Sequence, residues 1–291
     1  MFKSKSKFID ILAKKMLAYP FLRLLLISIL NFLFLSKAFK NFFEKKLFNP
    51  YFIPSVKEEQ INELAQSVLA AIGDVRNKTI LELGPGGDCL LACHLLRAGA
   101  KKIILLDREN YIHIPSSEKE KYQSIYPQVL DQNNNLNSNK IKIISYRKDG
   151  VIPLTHQTID IVYSMAVFEH VNKPETLLKE VSRVLVPSGF SYHQIDFRDH
   201  VFQQSSLLFL LFPDWLFNLL FSRTGMWTNR IRYSQWKEIF KENNFILIQE
   251  KLTKERLEMF NQNHLKKLSA TLSSDDILTT GAAFLLKKSN S

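Results

Sequence analysis

The chain has 291 residues, 46% of them hydrophobic and 23% charged, enough for one sizeable core and, at this length, for a single α/β domain with an N-terminal arm. Its two cysteines, Cys89 and Cys93, are too few for a cysteine-rich zinc site; they read as reduced, buried small residues and fit a cytoplasmic compartment. Of the net charge of +11, residues 1–50 supply +8 and the remaining 241 only +3, which excludes a nucleic-acid footprint across the folded part.

The arm, residues 1–50, opens on Lys3, Lys5, Lys7, Lys14 and Lys15 and turns apolar from Leu17 to Leu35. Pro20, Arg23, Ser28 and Asn31 interrupt that run, and its clean part, Leu24 to Leu35, falls short of the ~20 apolar residues that a spanning helix needs. Lys37, Lys40, Lys45 and Lys46 follow. Apolar residues with basic flanks predict a helix lying at a membrane surface, with a true span or a helix packed on the protein's own core as alternatives. After the aromatic turn Asn49 to Pro54, the apolar positions Val56, Ile61, Leu64, Val68, Leu69 and Ile72 predict an amphipathic helix that ends at Gly73.

Thr79 to Asp107 then reads as strand, tight loop, helix and strand: Ile80, Leu81 and Leu83, a Gly84-Pro85-Gly86-Gly87 turn, an amphipathic stretch from about Asp88, and Ile103 to Leu106 ending on Asp107. Gly84, Gly86 and Gly87 let the backbone turn with positive φ and approach a ligand closely. The helix directs its first N–H groups into the same gap, and Asp88 is suited to cap it. Asp107 lies 21 residues beyond Gly86, the distance at which an acid on the second strand tip meets ribose hydroxyls. An adenosine-type cofactor is expected. A dinucleotide fingerprint would put a third glycine where Cys89 stands, which disfavours NAD.

Residues 108–139 form a polar insertion, with a short helix expected near Glu118 to Val129. A third strand is expected over Lys140 to Tyr146, followed by Lys148-Asp149-Gly150, and a fourth within TIDIVYSMAVFEHV, Thr158 to Val171, with Ser164 at its tip. Lys173 to Leu185 reads as a helix, Pro187-Ser188-Gly189 as a turn, and Phe190 to Ile195 as the fifth strand. Val201 to Ser222 is a second apolar excursion, two short helices with Pro213 as stop and Asp214 as N-cap between them, within an insertion over 201–232. Ser234 to Glu242 and Glu255 to Leu268 read as helices, and Phe245 to Leu252 and Ala282 to Lys287 as an antiparallel strand pair finishing the sheet.

Glu82 with the ELGPG run, the segment Thr158 to Val171 and the run RVLVPSGF resemble, in order and spacing, class I S-adenosylmethionine-dependent methyltransferases of the methyltransferase type 11 group. The usual run has glycine where Asp88 stands here. The resemblance covers about Thr79 to Phe197 and implies a Rossmann-like, seven-stranded, mostly parallel α/β sheet over residues 51–291, with S-adenosylmethionine as cofactor. It implies that Glu82 reaches the methionine end of the cofactor, that Asp149 accepts from the adenine amino group, and that the segment Thr158 to Val171 borders the methyl group, with Ser164 at its strand tip a cofactor-binding candidate. Export would remove such a protein from its cofactor, which again favours the cytoplasm.

HQIDFRDH gathers His193, Asp196, Arg198, Asp199 and His200 at the carboxyl end of the fifth strand, where α/β sheets keep their ligands. Alternation sends His193 and Ile195 to one face and Gln194 and Asp196 to the other. With TNRIRYSQW, Thr228 to Trp236, this run resembles a subgroup associated with sugars or cell-surface glycans, implying a sugar or glycan acceptor. A sugar hydroxyl needs a base, for which the candidates are His200, then His193, then His170, oriented by Asp199 or Asp196. Arg198, Arg230 and Arg232 are candidates for an acidic group on the acceptor. A metal site from His193, Asp196, Asp199 and His200 is a further alternative without clean ligand spacing. A membrane lipid or quinone acceptor, and a non-catalytic cofactor-binding protein, are the rival readings.

Overall fold

The structure is a computed structural model, and it describes residues 58–289 except 109–111, 113, 115–117, 134, 148, 201–206 and 223–226. The arm over 1–50 and the aromatic turn after it lie outside the described residues. The chain divides into two compact units. One comprises 57–197, 229–255 and 273–291 and holds the sheet; the other comprises 1–56, 198–228 and 256–272.

The sheet unit opens with helix α1, Glu58–Ile72, whose apolar positions Ile61, Ala65, Val68 and Ile72 are buried. Strand β1, Thr79–Leu83, is an apolar run too short for a helix, and helix α2, Leu90–Arg97, is buried over nearly its whole length. Strand β2, Lys102–Asp107, lies parallel to β1 in the register Leu83↔Leu106. The insertion holds helix α3, Lys119–Ile125, and a 3-10 turn, Pro127–Val129. Strand β3, Ile141–Ser145, strand β4, Ile159–Met165, helix α4, Pro174–Val184, and strand β5, Leu185–Asp196, follow.

In the second unit, helix α5, Leu208–Leu211, and helix α6, Asp214–Phe221, flank Pro213. Helix α7, Tyr233–Glu242, and strand β6, Phe245–Lys254, return to the sheet unit. Helix α8, Gln262–Leu268, belongs to the second unit and packs on α5. Helix α9, Ser274–Leu278, and strand β7, Thr279–Lys288, close the sheet. The strand order is β3-β2-β1-β4-β5-β7-β6, with β7 antiparallel to both β5 and β6 and every other pair parallel. The expected seven-stranded, mostly parallel sheet with an antiparallel C-terminal pair is thus observed.

Three local expectations need correction. The turn at Pro187-Ser188-Gly189 is an irregularity inside β5: the register against β4 runs from Ile159↔Leu185 to Ile161↔Phe190. A Cβ on Gly189 would lie 3.0 Å from the Asp160 and Val186 carbonyl oxygens, so glycine lets the strands close over the extra residues. The helix over Glu255 to Leu268 is a 3-10 turn, Leu257–Met259, followed by α8, because Asn261 caps the latter by accepting from the Asn263 and His264 amides at 3.0 and 3.2 Å. Asp214 is the first residue of α6 rather than its cap, which is Pro213.

Candidate functional site

The carboxyl ends of β1, β2, β4 and β5 form one end of the sheet, and the segments leaving them build the site. At the β1 exit, Gly84 has φ +64 and Gly86 φ +74, the left-handed region that favours glycine, whereas Gly87, expected there too, lies outside it. A Cβ on Gly84 would sit 2.6 Å from Val167 Cγ2, so the loop after β1 and the turn after β4 touch only because this residue has no side chain. The Gly84 amide donates to the Leu106 carbonyl at 2.8 Å, tying the loop to the end of β2. Cys89, not Asp88, is the N-cap of α2, but Asp88 Oδ1 still accepts from the Leu90 amide at 2.9 Å. Cys89 and Cys93 are free and buried; their mutual contact and burial push the Cys89 thiol up, so it stays protonated.

Glu82 stands next to this loop, 7% exposed. Burial pushes its carboxyl up to about 8, the nearby Asp88 adds to the rise, and the adjacent Tyr163 hydroxyl opposes it. That hydroxyl does not satisfy it: Glu82 Oε2 and Tyr163 Oη are both buried with no hydrogen-bond partner among the described residues. An orphaned carboxyl oxygen beside a glycine cradle, free to ionise when a cation arrives, suits a cationic ligand group. Asp107, at the tip of β2, is half-buried, its Oδ1 accepting from the Arg108 amide at 2.6 Å. Asp149, beyond β3, is exposed; it accepts from the Val151 amide at 3.1 Å and pairs with Arg147 at 3.1 Å.

At the β4 tip, Ala166 holds φ +53, a conformation that costs a non-glycine residue about 1–3 kcal/mol, and its amide donates to the Gln194 carbonyl at 2.9 Å. A 3-10 turn, Phe168–His170, follows, with His170 half-buried and Glu169 only 2% exposed. Glu169 Oε1 accepts from the Asp196 amide at 3.3 Å, joining this turn to the end of β5. Asp196 itself is half-buried. Asn229 Nδ2 donates to the Phe168 and Val171 carbonyls at 2.8 and 3.1 Å, and its amide donates to the Glu169 carbonyl at 2.8 Å. Asn229 and Tyr163 were missed as site-forming residues; in the sequence they are outweighed by arginines and histidines of louder chemistry.

His193 is withdrawn as a candidate base. It has no solvent exposure, its Nδ1 lies 2.8 Å from Ser164 Oγ, its Nε2 is bonded to Ser191 Oγ, and its ring meets Phe168 edge-on at 4.4 Å. Burial pushes its pKa down to about 3, so the ring is neutral and both nitrogens are engaged. Engaged nitrogens also remove His193 from the four-residue metal set, and no group of three or more His, Cys, Asp or Glu among the described residues is arranged to hold a metal ion. Ser164 is corrected with it: fully buried, it turns its hydroxyl onto His193 in the core. His193→Ala is expected to cost about 2–4 kcal/mol in chemical denaturation, through a cavity and two stranded hydroxyls, while leaving the pH dependence of kcat unmoved.

Arg232 is also withdrawn as a substrate clamp. It is 2% exposed, and its guanidinium donates to the carbonyl oxygens of Phe197 at 2.7 Å, Asp276 at 2.6 and 2.9 Å, and Thr279 at 2.9 Å. Burial lowers its pKa to about 10, with Asp276 and Asp196 opposing the fall, so it stays charged at neutral pH. Arg230 is half-buried with φ +60. Arg198, Asp199 and His200 belong to the second unit, where Asp199 is 5% exposed and His200 half-buried.

Residues 81–193 match the family model described as a methyltransferase domain. Among solved structures, an S-adenosylmethionine-dependent methyltransferase from Mesorhizobium loti is 13% identical, with 78% of this chain and 100% of that one covered and a TM-score of 0.51. Phosphoethanolamine N-methyltransferase 2 from Haemonchus contortus, solved in complex with S-adenosyl-L-methionine, is 12% identical over 78% of this chain and 52% of that one, TM-score 0.50. The [4+2]-cyclase SpnF is 11% identical over 83% and 86%, also with a TM-score of 0.50. These likenesses establish the fold, and a cyclase among them means that the fold alone does not fix a reaction. No curated protein matches the chain.

Proposed function

We propose, from the premise that this chain carries a class I S-adenosylmethionine-dependent methyltransferase domain, that it methylates a hydroxyl of a sugar or glycan precursor. The observation that carries methyl transfer is the match over 81–193 together with the β1 exit, where Glu82 keeps an orphaned oxygen beside the Gly84 cradle. S-adenosylmethionine supplies a sulfonium, an already activated methyl donor. Glu82 holds the cationic end of the methionine moiety, Asp107 the ribose hydroxyls and Asp149 the adenine edge. The chain's remaining task is to position the acceptor oxygen and take its proton.

His170 is the base best supported by position, since it follows β4 in the sheet unit, three residues beyond the Val167 that contacts Gly84. His200 and Asp199, the first-ranked pair in the sequence, lie in the second unit. The sugar acceptor rests on the likeness of His193 to His200 and Thr228 to Trp236 to glycan-associated relatives, weakened now that His193 and Arg232 have structural roles. A membrane lipid is the second reading, favoured by Trp215 and Leu219, each 68% exposed on α6. In either case the arm over 1–50 is read as a membrane-surface element.

Transfer of a labelled methyl group from S-adenosylmethionine, assayed against nucleotide sugars and against phospholipid or quinone dispersions, tests the assignment. Label in the sugars alone supports it, label in lipid alone replaces it with the second reading, and label in neither sinks both. Asp107→Ala is expected to weaken S-adenosylmethionine binding by about 1.5–3 kcal/mol in calorimetry, the worth of hydrogen bonds to a charged group. An unchanged affinity would remove the ribose assignment.

A further inference from the structure

The second unit has chemistry of its own. It contains 15 of the 39 Lys and Arg and 5 of the 28 Asp and Glu, so it carries +10 of the chain's net +11, and the sheet unit is nearly neutral at +1. Its α6, DWLFNLLF, is apolar on opposite sides. One side, Phe217 and Phe221, is buried in a small cluster with Phe209, and the Phe217 and Phe221 rings meet at a tilt of 48° with 4.8 Å between centroids. The other, Trp215 and Leu219 one turn apart, is 68% exposed at both residues. Leu257 and Met259 of the same unit are 52% and 57% exposed, and Arg256, Lys266 and Lys267 are exposed nearby in sequence. A soluble surface seldom presents Trp and Leu side by side on a helix already anchored by its other face.

We infer that the basic unit docks on an anionic lipid bilayer, with Trp215 and Leu219 of α6 entering the interface as its apolar wedge. Charge selects the occupant: a unit at +10 is attracted to anionic head groups, whereas a second copy of the same unit would be repelled. The side chains fit the depth, since tryptophan settles where acyl chain meets head group. Docking then needs two elements, the arm for charge and α6 for apolar contact, as reversible membrane binding generally does. The inference extends the membrane-surface reading of the arm to described residues and is independent of which acceptor is methylated.

Tryptophan fluorescence of the full chain tests it. Of the three tryptophans, Trp236 is fully buried and Trp227 half-buried with its indole N–H donated to Asn218 Oδ1 at 2.9 Å, leaving Trp215 to report on lipid. Vesicles of equal phosphatidylglycerol and phosphatidylcholine are expected to bind the protein, shift emission to the blue and, when the acyl chains are brominated, quench it; phosphatidylcholine alone should do none of these. Trp215→Phe should abolish shift and quenching, and Trp215→Glu with Leu219→Glu should weaken binding at least about tenfold, equivalent to 1.4 kcal/mol, with the thermal midpoint unchanged. Sedimentation with vesicles but no shift or quenching would leave the arm as sole anchor and overturn the wedge. No sedimentation would overturn both, and a concentration-dependent shift without lipid would assign the face to a second copy instead.

Discussion

Arg232→Met is expected to lower the unfolding free energy by about 3 kcal/mol or more, and so the thermal midpoint by roughly 6 °C or more. The methionine fills most of the volume but leaves the carbonyl oxygens of Phe197, Asp276 and Thr279 buried without their donor. Those three carbonyls belong to the end of β5, to α9 and to the start of β7, so one guanidinium closes the sheet's antiparallel side against the N-terminus of α7. The Asp276 carboxylate reinforces the joint: its Oδ1 accepts from the Ser234 amide at 2.8 Å, and its Oδ2 from the Ser234 and Ser273 hydroxyls at 2.8 Å each. Burial works to raise the Asp276 pKa, and these hydrogen bonds with Arg232 overcome it, leaving the pKa lowered. Denaturant titration measures the loss. A variant with wild-type stability but impaired acceptor affinity would instead restore Arg232 as a substrate clamp.

The second large effect concerns Glu82 and pH. In the free protein its carboxyl titrates near 8, so it is mostly protonated at neutral pH. An acid whose folded pKa is raised gives stability that is full below its ordinary value of 4.5 and declines as pH rises through 8. A cationic methionine end bound at Glu82 reverses that preference, favouring the carboxylate and releasing a proton. S-adenosylmethionine affinity is therefore expected to fall by up to about tenfold for each pH unit below 8 and to level off above it. Glu82→Gln should flatten that profile and weaken binding at high pH by about 1.5–3 kcal/mol. Calorimetry across pH in buffers of different ionisation enthalpy reads both the affinity and the released proton. A flat profile in the unaltered protein would place the methionine end elsewhere.

Much of the fold was legible because its strands are short apolar runs bounded by turn chemistry. Gly84 and Gly86 marked the β1 exit, and Asp107 ended β2 at the distance that parallel pairing dictates. What misled were residues whose chemistry looked functional in one dimension. HQIDFRDH groups ionisable side chains by sequence, but the pleat turned His193 inward, where burial keeps the imidazole neutral and serines on β4 and on β5 itself engage both of its nitrogens. Arg232 invited a phosphate-clamp reading because a guanidinium fork suits anions; its real partners are carbonyls 35, 44 and 47 residues away, a separation that no local pattern displays. Asn229 carried no signal beyond its place beside two arginines, yet it fixes the turn from Phe168 to Val171. The cluster of ionisable groups was a real feature read at the wrong level: its His193 supports the sheet rather than facing a ligand.

The central claim, an S-adenosylmethionine site built from the β1 exit and the β2 tip, is tested most directly by calorimetric titration of the full-length protein with S-adenosylmethionine, and with NAD as control. Saturable one-to-one binding of S-adenosylmethionine alone, weakened in Asp107→Ala, is the expected result. Saturable binding of NAD instead, or no binding of either by the folded protein, would contradict it.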